Sequence, residues 1–212
     1  MSEGSGCQSC ACQSRAEDHR KGLRLEFLSL GWSLTEAAVA VAAGVMAGSV
    51  ALMGFGADSV IESFSSVVLL WRLSSTQHDE RRERIALRGV GICFLLLAVY
   101  ILADAGIALV QHEPPHPSLV GIALSIITLL VMPVLARAKR KVAARLDSAA
   151  LAADSRQTDL CAWLAAIVLL GLALNAALGW WWADPVAALI MVPIIFREGL
   201  QALRGEVCAG CC

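Results

Sequence analysis

The residues in this sequence best suited to chemistry are acidic side chains inside long apolar segments. Asp58 and Glu62 are four residues apart in one such segment. On a helix they project from the same face, with both carboxylates within reach of one ion. Two adjacent carboxylates in a low-dielectric setting repel each other. Their coexistence is explained by a divalent cation, by bound protons, or by the two in alternation, which amounts to an exchange of metal for protons.

A second acidic group precedes the apolar segment that begins at Leu160. Asp154 and Asp159 are five residues apart, whereas Ser155 and Asp159 are four apart, the same interval as the first pair. We therefore predict Asp159 as a metal ligand, with Ser155 and Asp154 as weaker candidates. Arg156 leaves open a structural ion pair with either aspartate.

Two further acidic residues, Glu36 and Asp104, lie in other apolar segments. A charge inside a bilayer costs free energy unless a partner or water offsets it, so each is a candidate for function. They could support the metal ligands or carry protons. They could equally be hydrogen-bonded groups of a helix-bundle interior.

Six cysteines lie near the two ends of the chain. If both ends face the reducing cytoplasm, closely spaced thiols bind soft metals more readily than they form disulfides. They could capture metal and pass it to the carboxylates, or both tails could be inert. The remaining Cys93 and Cys161 each stand alone in an apolar segment and are interpreted as packing residues. The cysteines of the two ends are Cys7, Cys10, Cys12, Cys208, Cys211 and Cys212.

The elements that must position these residues are membrane-spanning helices. The chain is 58% hydrophobic and only 17% charged, against about 25% charged in soluble domains. A span needs about 20 mostly apolar residues, and six segments meet this length, so the predicted fold is an all-α, polytopic membrane protein. The fifth helix is expected to start earlier than its apolar segment, near Ala149. The segments are roughly 27–50, 55–73, 85–110, 119–136, 160–178 and 185–203.

Lysine and arginine are distributed unevenly between the connections. They precede the first segment and occupy the second and fourth connections, whereas the first, third and fifth connections contain none. Because basic residues favour the cytoplasmic side, both termini are predicted to be cytoplasmic. The predicted organisation is a cytoplasmic tail at 1–25, a transporter domain at 26–204 and a cytoplasmic tail at 205–212, in a multi-pass protein of a bacterial inner membrane.

A resemblance to the cation diffusion facilitator family is carried by the stretch Ser49-Val-Ala-Leu-Met-Gly-Phe-Gly-Ala-Asp58-Ser-Val-Ile-Glu62-Ser. It is similar to the family's second helix, so the resemblance implies that Asp58 and Glu62 are metal ligands. Gln157-Thr158-Asp159 resembles the fifth-helix signature, with Asp159 as the ligand and Ser155 where a histidine usually stands. The stretch 182–189 looks like the entry to the sixth helix, where an Asp-Pro pair is commonly structural.

The resemblance covers 29–205 and is closest to the short branch that includes the vertebrate synaptic-vesicle zinc transporter. Only residues 204–212 follow the last apolar segment, so we expect no cytoplasmic C-terminal domain and a homodimer formed through the helices. The implied function is proton-coupled efflux of a divalent cation, with zinc as the substrate and no cofactor required. Carboxylate ligands also suit cadmium, cobalt, iron and manganese. The implied partners are the lipid bilayer, metal ions and protons, and no nucleic acid.

Two alternatives remain open from the residues alone. One is a soft-metal permease of the mercuric type, which predicts paired cysteines within a span, whereas Cys93 and Cys161 stand alone. The other is a membrane-bound metal sensor or chaperone that binds through the cysteine tails and tolerates loss of the carboxylates. An enzyme is not expected, because no nucleophile and base are paired in the spans. No nucleotide-binding loop is present, so ATP is not expected to drive transport.

Overall fold

The regular structure of the chain is entirely helical in the part that can be described. A computed structural model describes residues 5–74, 80–112 and 115–204. Within these ranges there is no strand, and six helices follow one another along the chain, which confirms the predicted all-α fold. They are α1 (Ser5–Ala47), α2 (Val50–Ser74), α3 (Glu80–Gln111), α4 (Leu119–Leu146), α5 (Ala149–Leu178) and α6 (Ala183–Arg204).

Each of these six helices contains a stretch that is long and apolar enough to cross a membrane. The fifth helix begins at Ala149, as its helix-forming residues predicted. The first helix is longer than predicted: it begins at Ser5, and its candidate span begins at Glu17. The charged segment before the predicted span contains no proline, so nothing in it stops a helix from continuing. The boundaries of the two tails and the cytoplasmic position of both termini stay predictions.

Short connections force consecutive helices to run in opposite directions. Two residues join α1 to α2, and two residues, Asp147 and Ser148, join α4 to α5. Ser148 caps α5 by accepting a hydrogen bond from the backbone N–H of Leu151, and Asp147 ends α4 in the left-handed conformation. The bundle therefore has a terminal end, where α1, α3 and α5 begin and α2, α4 and α6 end, and an opposite end, where the reverse holds.

Hydrogen bonds tie the three connections of the opposite end together. The backbone N–H of His116, in the α3–α4 connection, donates to the carbonyl of Ala47 at the end of α1, at 2.8 Å. The side-chain amide of Asn175 on α5 donates to the carbonyl of Pro115 at 2.9 Å. Asp184 at the start of α6 accepts hydrogen bonds from the Ser49 hydroxyl at 2.5 Å and from the backbone N–H of Val50 at 2.9 Å. Asp184 therefore caps the start of α2.

Small residues allow the most extensive helix contacts, which pair α1 with α2, α3 with α6 and α4 with α5. A methyl group added at Gly56 on α2 would lie 2.9 Å from the backbone nitrogen of Val41 on α1. One added at Gly91 on α3 would lie 2.8 Å from the carbonyl oxygen of Gly199 on α6. Backbones that approach this closely are typical of helix packing in membranes.

The half of the bundle nearer the opposite end has an apolar core. Its largest side chains are fully or almost fully buried, and they come from α2, α3, α5 and α6. The outer surface is also apolar: Met46 is 83% exposed and Val110 is 79% exposed. Such a surface fits contact with lipid, since lipid tails solvate apolar side chains. The buried side chains are Leu52, Phe55, Ile101, Leu172 and Met191.

Candidate functional site

Four helices, α1, α2, α4 and α5, present polar side chains to the interior of the bundle. On α1 these side chains follow one another at intervals of three, four and three residues, which places them on one face. Every one of them is buried, which is costly for polar groups unless they have partners or a ligand. The buried polar residues are Glu26, Ser29, Ser33 and Glu36 on α1, Asp58, Ser59, Glu62, Ser63 and Ser66 on α2, Ser125, Thr128 and Lys139 on α4, and Asp154, Ser155, Thr158 and Asn175 on α5.

Three potential ligand atoms meet at the centre of these faces. A carboxylate oxygen of Glu36, a carboxylate oxygen of Glu62 and the sulfur of Cys161 all lie within 4.8 Å of one another. We call these three residues the central cluster. They are contributed by α1, α2 and α5, and all three are buried. Two carboxylate oxygens and one sulfur are a donor set that zinc accepts.

Glu62 is the member of the central cluster with the least compensation. Its side chain is 2% exposed, and neither carboxylate oxygen makes a hydrogen bond to any described residue. The negative charges of Asp58, Glu36 and Asp154 also act on it, and the positive charge of Lys139 opposes them only in part. A buried carboxylate without partners is unfavourable in the ionised form. A cation or a proton at this position would remove the penalty.

Glu36 is held in place from three neighbouring helices. Its carboxylate accepts hydrogen bonds from the Ser59 hydroxyl at 3.1 Å and from the Thr128 hydroxyl. The Cys161 thiol donates to it at 3.5 Å. A metal ion bound between the thiolate and this carboxylate would take the place of the thiol proton, so binding would release a proton.

Asp58, the other half of the helix-two pair, lies beside the central cluster without belonging to it. Its side chain is 8% exposed. The charges of Glu36 on α1 and Glu198 on α6 act on it. Acidic side chains from three helices therefore concentrate negative charge in the middle of the bundle, where the low dielectric strengthens their attraction for a cation.

Asp154 lies in a separate ion-pair network nearer the terminal end. It pairs with the ammonium group of Lys139, whose Nζ also lies 3.3 Å from the Glu26 carboxylate. The Ser29 hydroxyl accepts from the same Nζ at 2.9 Å. The sequence left open an ion pair between Arg156 and Asp154, but Arg156 is exposed. The ion-pair partner of Asp154 is Lys139.

Asp159 and Ser155 are not brought to Glu62. Asp159 forms an ion pair with Arg140 at 2.9 Å, and the two side chains are 29% and 50% exposed. The Ser155 hydroxyl donates to the carbonyl of Ala152 at 2.7 Å, within its own helix. The reason is helical geometry: a two-residue step from Cys161 back to Asp159 turns about 200°, so these side chains face nearly opposite directions.

Two other predicted groups lie away from the central cluster or outside the described residues. Asp104 is half-buried on α3, one turn after Tyr100. The helix α1 includes Cys7, Cys10 and Cys12, but their side chains lie outside the described part of the chain, as does the whole of the tail at 205–212 with Cys208, Cys211 and Cys212. Metal capture by these cysteines stays a prediction.

The sequence predicts Cys161 to be a packing residue, and it does not predict Glu26 or Lys139 to be site residues. A usable signal was present for Cys161: it lies seven residues after Asp154 and three after Thr158, so a helical wheel places all three on one face. Glu26 directly precedes the first apolar segment and Lys139 lies in the basic fourth connection, and charged side chains at such positions are normally solvated.

Comparison with known proteins agrees with this architecture. The family described as cation efflux transmembrane domain matches residues 27–207. The chain is 27% identical over 189 residues to an uncharacterized transporter of Synechocystis sp., covering 85% of this chain and 61% of the relative.

Two further relatives carry descriptive names. Transmembrane protein 163 of Xenopus laevis is 27% identical over 198 residues, which is 91% of this chain and 70% of the relative. The cation-efflux pump FieF of Shewanella oneidensis is 24% identical over 182 residues, which is 82% of this chain and 61% of the relative. The chain thus spans about three fifths of the length of two of these three relatives. Because the family match extends over all six helices, the chain belongs to the cation diffusion facilitator family.

Proposed function

We propose that this chain moves a divalent metal cation across the membrane, out of the cytoplasm and in exchange for protons. The observation that carries the proposal is Glu62, a buried carboxylate whose two oxygens have no hydrogen-bond partner among the described residues. Glu36 and the Cys161 sulfur lie within 4.8 Å of it. A divalent cation between these three groups would offset their charge and would give the carboxylate of Glu62 a partner.

Zinc is the proposed substrate, with cadmium next. The sequence alone suggested a site built from carboxylates, and such a site suits manganese, cobalt and iron as well. The nearness of Cys161 supports a softer set with one sulfur, and thiolate favours zinc and cadmium over manganese. The proposal therefore gives Cys161 the role of a ligand, in addition to its packing in the core.

Exchange for protons is supported by the chemistry of the same groups. When the metal leaves, the thiolate and the carboxylates remain in a low-dielectric interior, where uncompensated charge is costly. Protons are the simplest replacement, and metal binding then displaces them again. Each transport cycle would return protons through the central cluster as the metal is released.

The other ligands predicted from the sequence would need movement to reach the ion. Asp58 is buried and lies one turn from Glu62 on α2, so a change of side-chain rotamer is the smaller step. Asp159 would have to leave Arg140 and turn towards the interior. We therefore propose Asp58 as an additional ligand, and Asp159 as a ligand only in a conformation in which α5 has rotated.

A cytoplasmic terminal end, a bacterial inner membrane and a homodimer formed through the helices complete the proposal. The orientation is supported by basic residues at that end: Arg88, Arg137, Arg140, Lys141 and Arg145 are exposed there. Lys and Arg near the ends of spans favour the cytoplasmic side.

Metal-dependent proton flux in proteoliposomes tests the proposal. The purified full chain would be compared with Glu62→Gln and with Glu17→Gln, which neutralises an exposed carboxylate on α1 as a matched control. Zinc-dependent flux that is present in the unaltered chain and in the control, and absent in Glu62→Gln, would support the proposal. Flux that survives Glu62→Gln, or metal held by the tail cysteines without any flux, would contradict it.

A further inference from the structure

A buried lysine lies between the central cluster and the terminal end. The side chain of Lys139 on α4 is fully buried, and its Nζ is surrounded by oxygen atoms from four residues, two on α1 and two on α5. It pairs with Asp154, lies 3.3 Å from Glu26, and donates to Ser29 at 2.9 Å and to Thr158 at 3.4 Å. We call Glu26, Ser29, Lys139, Asp154 and Thr158 the lysine cluster.

The lysine cluster contains more acidic than basic groups. Two carboxylates face one ammonium group, and all three side chains are buried. Removing an ion pair from water costs several kcal/mol, which close geometry only partly returns. A hydrophobic contact between α1, α4 and α5 would hold the helices together without this cost. Helix packing alone therefore does not explain why charged groups are buried here.

The lysine cluster and the central cluster are built on the same helices. On α1, Glu26 precedes Glu36 by ten residues, and on α5, Asp154 precedes Cys161 by seven. With a rise of 1.5 Å per residue, the two clusters are separated by about 10 to 15 Å along the bundle. The lysine cluster is the one nearer the terminal end, because α1 and α5 both begin there.

Unpartnered hydroxyl groups occupy the interval between the two clusters. Ser33 lies between Ser29 and Glu36 on the same face of α1, and Ser66 lies one turn beyond Glu62 on α2, towards the terminal end. Both side chains are fully buried, and neither hydroxyl oxygen has a hydrogen-bond partner in the described part of the chain. Buried hydroxyls are normally satisfied, so these two can offer oxygen atoms to a passing cation.

Between the central cluster and the opposite end, the interior of the bundle is mainly apolar. Towards the opposite end the interior is filled by fully buried apolar side chains, among them Leu52, Phe55 and Leu172. Polar side chains therefore continue further from Glu62 towards the terminal end, where Ser66, Ser33 and the lysine cluster follow, than towards the opposite end, where among the described residues only Asp58, Ser59 and Ser125 precede the apolar core. A cation that reaches Glu62 in this conformation comes past the lysine cluster.

We propose that Lys139 is an internal competitor of the transported cation: its ammonium group occupies the carboxylates of Glu26 and Asp154 and thereby closes the path from the terminal end to Glu62. A divalent ion that enters must displace the ammonium group. Two carboxylates balance the charge of a divalent ion better than they balance the single charge of an ammonium group. Lys139 returns when the ion has moved on. The part played in transport rests on the proposed function, whereas the competition for Glu26 and Asp154 does not.

Zinc titration of the purified full chain tests the competition directly. All six cysteines of the tails would be replaced by serine in every variant, so that they bind no metal. Lys139→Gln should bind one more zinc ion per chain than the unaltered background. The added ion should persist in Lys139→Gln combined with Glu62→Gln, and disappear in Lys139→Gln combined with Asp154→Asn. Lys139→Arg, which keeps the charge, and Lys141→Gln, which removes an exposed charge from the same helix, should bind as the background does.

Thiol labelling tests whether Lys139 closes a path. With Ser33→Cys as the reporter, a small cationic methanethiosulfonate added from the terminal side should react several-fold faster in Lys139→Gln than with Lys139 present. If Lys139→Gln does not fold because two carboxylates lose their partner, Lys139→Gln with Asp154→Asn removes one charge of each sign, and faster labelling is expected there as well.

The outcomes separate this proposal from the proposed function. No added zinc in Lys139→Gln, together with unchanged labelling, would overturn the competition. Zinc-dependent flux that is absent even in the unaltered chain would overturn the transport function, while the added ion and the faster labelling would still report on Lys139.

Discussion

The carboxylate of Glu62 on α2 and the thiol sulfur of Cys161 on α5 lie within 4.8 Å of each other in the buried centre of the bundle. The third member of the central cluster, Glu36, is fixed by hydroxyl groups from α2 and α4. Four helices thus converge on one small volume. Any movement of α5 against α2 would change the distance between the two groups, which is what a site alternately open to two sides of a membrane requires.

Glu36→Gln is predicted to weaken zinc binding by at least about tenfold, which corresponds to about 1.4 kcal/mol. The amide keeps the shape of the side chain but removes a charged oxygen from the central cluster. Zinc affinity measured by titration of the purified chain with tail cysteines replaced checks this, with Glu17→Gln as the exposed control. Equal affinity in both variants would exclude Glu36 from the site.

Cys161→Ser is predicted to change which metal is preferred. An oxygen in place of sulfur makes the ligand set harder, so cadmium should lose more affinity than manganese. We expect the ratio of cadmium to manganese affinity to fall by about tenfold or more, or about 1.4 kcal/mol. Cys93→Ser, at an exposed cysteine of α3, is the matched control and should leave the ratio unchanged. A constant ratio in Cys161→Ser would mean that the sulfur does not touch the ion.

Asp184→Asn is predicted to destabilise the fold without altering the zinc site. One oxygen of Asp184 accepts a hydrogen bond from the Ser49 hydroxyl, and the other accepts one from the backbone N–H of Val50. In asparagine one of these oxygens becomes an NH₂ group, which cannot accept a hydrogen bond. A loss of about 1 to 3 kcal/mol of unfolding free energy is expected. Thermal unfolding in detergent measures it.

The control for this change is Asp147→Asn at the end of α4. Asp147 is exposed and has a positive φ of 52°, a conformation that asparagine adopts readily. Its substitution should leave the unfolding temperature nearly unchanged. Equal stability of the two variants would show that the cap at the start of α2 contributes little.

Asp58→Asn is predicted to reduce zinc affinity more than Asp159→Asn does. Asp58 is buried next to the central cluster, whereas Asp159 lies in a partly exposed ion pair with Arg140. Exposed pairs contribute about 0 to 1 kcal/mol, so their loss should change stability little. Zinc titration of both variants side by side is the measurement. A larger loss in Asp159→Asn would support the ligand set that the spacing predicted and would mean that α5 rotates when the ion binds.

Much of the fold was predictable because hydropathy reports directly on membrane spans. The six helices and the all-α class are confirmed. The resemblance is confirmed by the family match, which also assigns the chain to a family of transporters and not of enzymes. The interval of four residues between Asp58 and Glu62 predicts a shared face of α2, and both residues are buried, whereas their role as ligands stays a prediction.

The composition of the central cluster was less predictable, because it depends on which face each neighbour covers. The interval between Ser155 and Asp159 indicated a shared face, but packing turns Asp159 towards Arg140. Cys161 is uncharged, so hydropathy does not distinguish it from a packing residue, and only its spacing from Asp154 and Thr158 indicates the shared face. Lys139 lies in a basic segment, and its burial depends on Glu26, 113 residues earlier in the chain. The metal, proton exchange, the orientation, the homodimer and the roles of the individual site residues stay predictions.

Above all, we propose that a divalent ion binds between Glu36, Glu62 and Cys161. Zinc K-edge X-ray absorption on the zinc-loaded full chain, with all six tail cysteines replaced by serine, tests it most directly. We expect one sulfur neighbour at about 2.3 Å together with oxygen neighbours at about 2.0 to 2.2 Å. The sulfur signal should vanish in Cys161→Ser and persist in Cys93→Ser. A spectrum with oxygen neighbours alone, or a sulfur signal that survives Cys161→Ser, would contradict it.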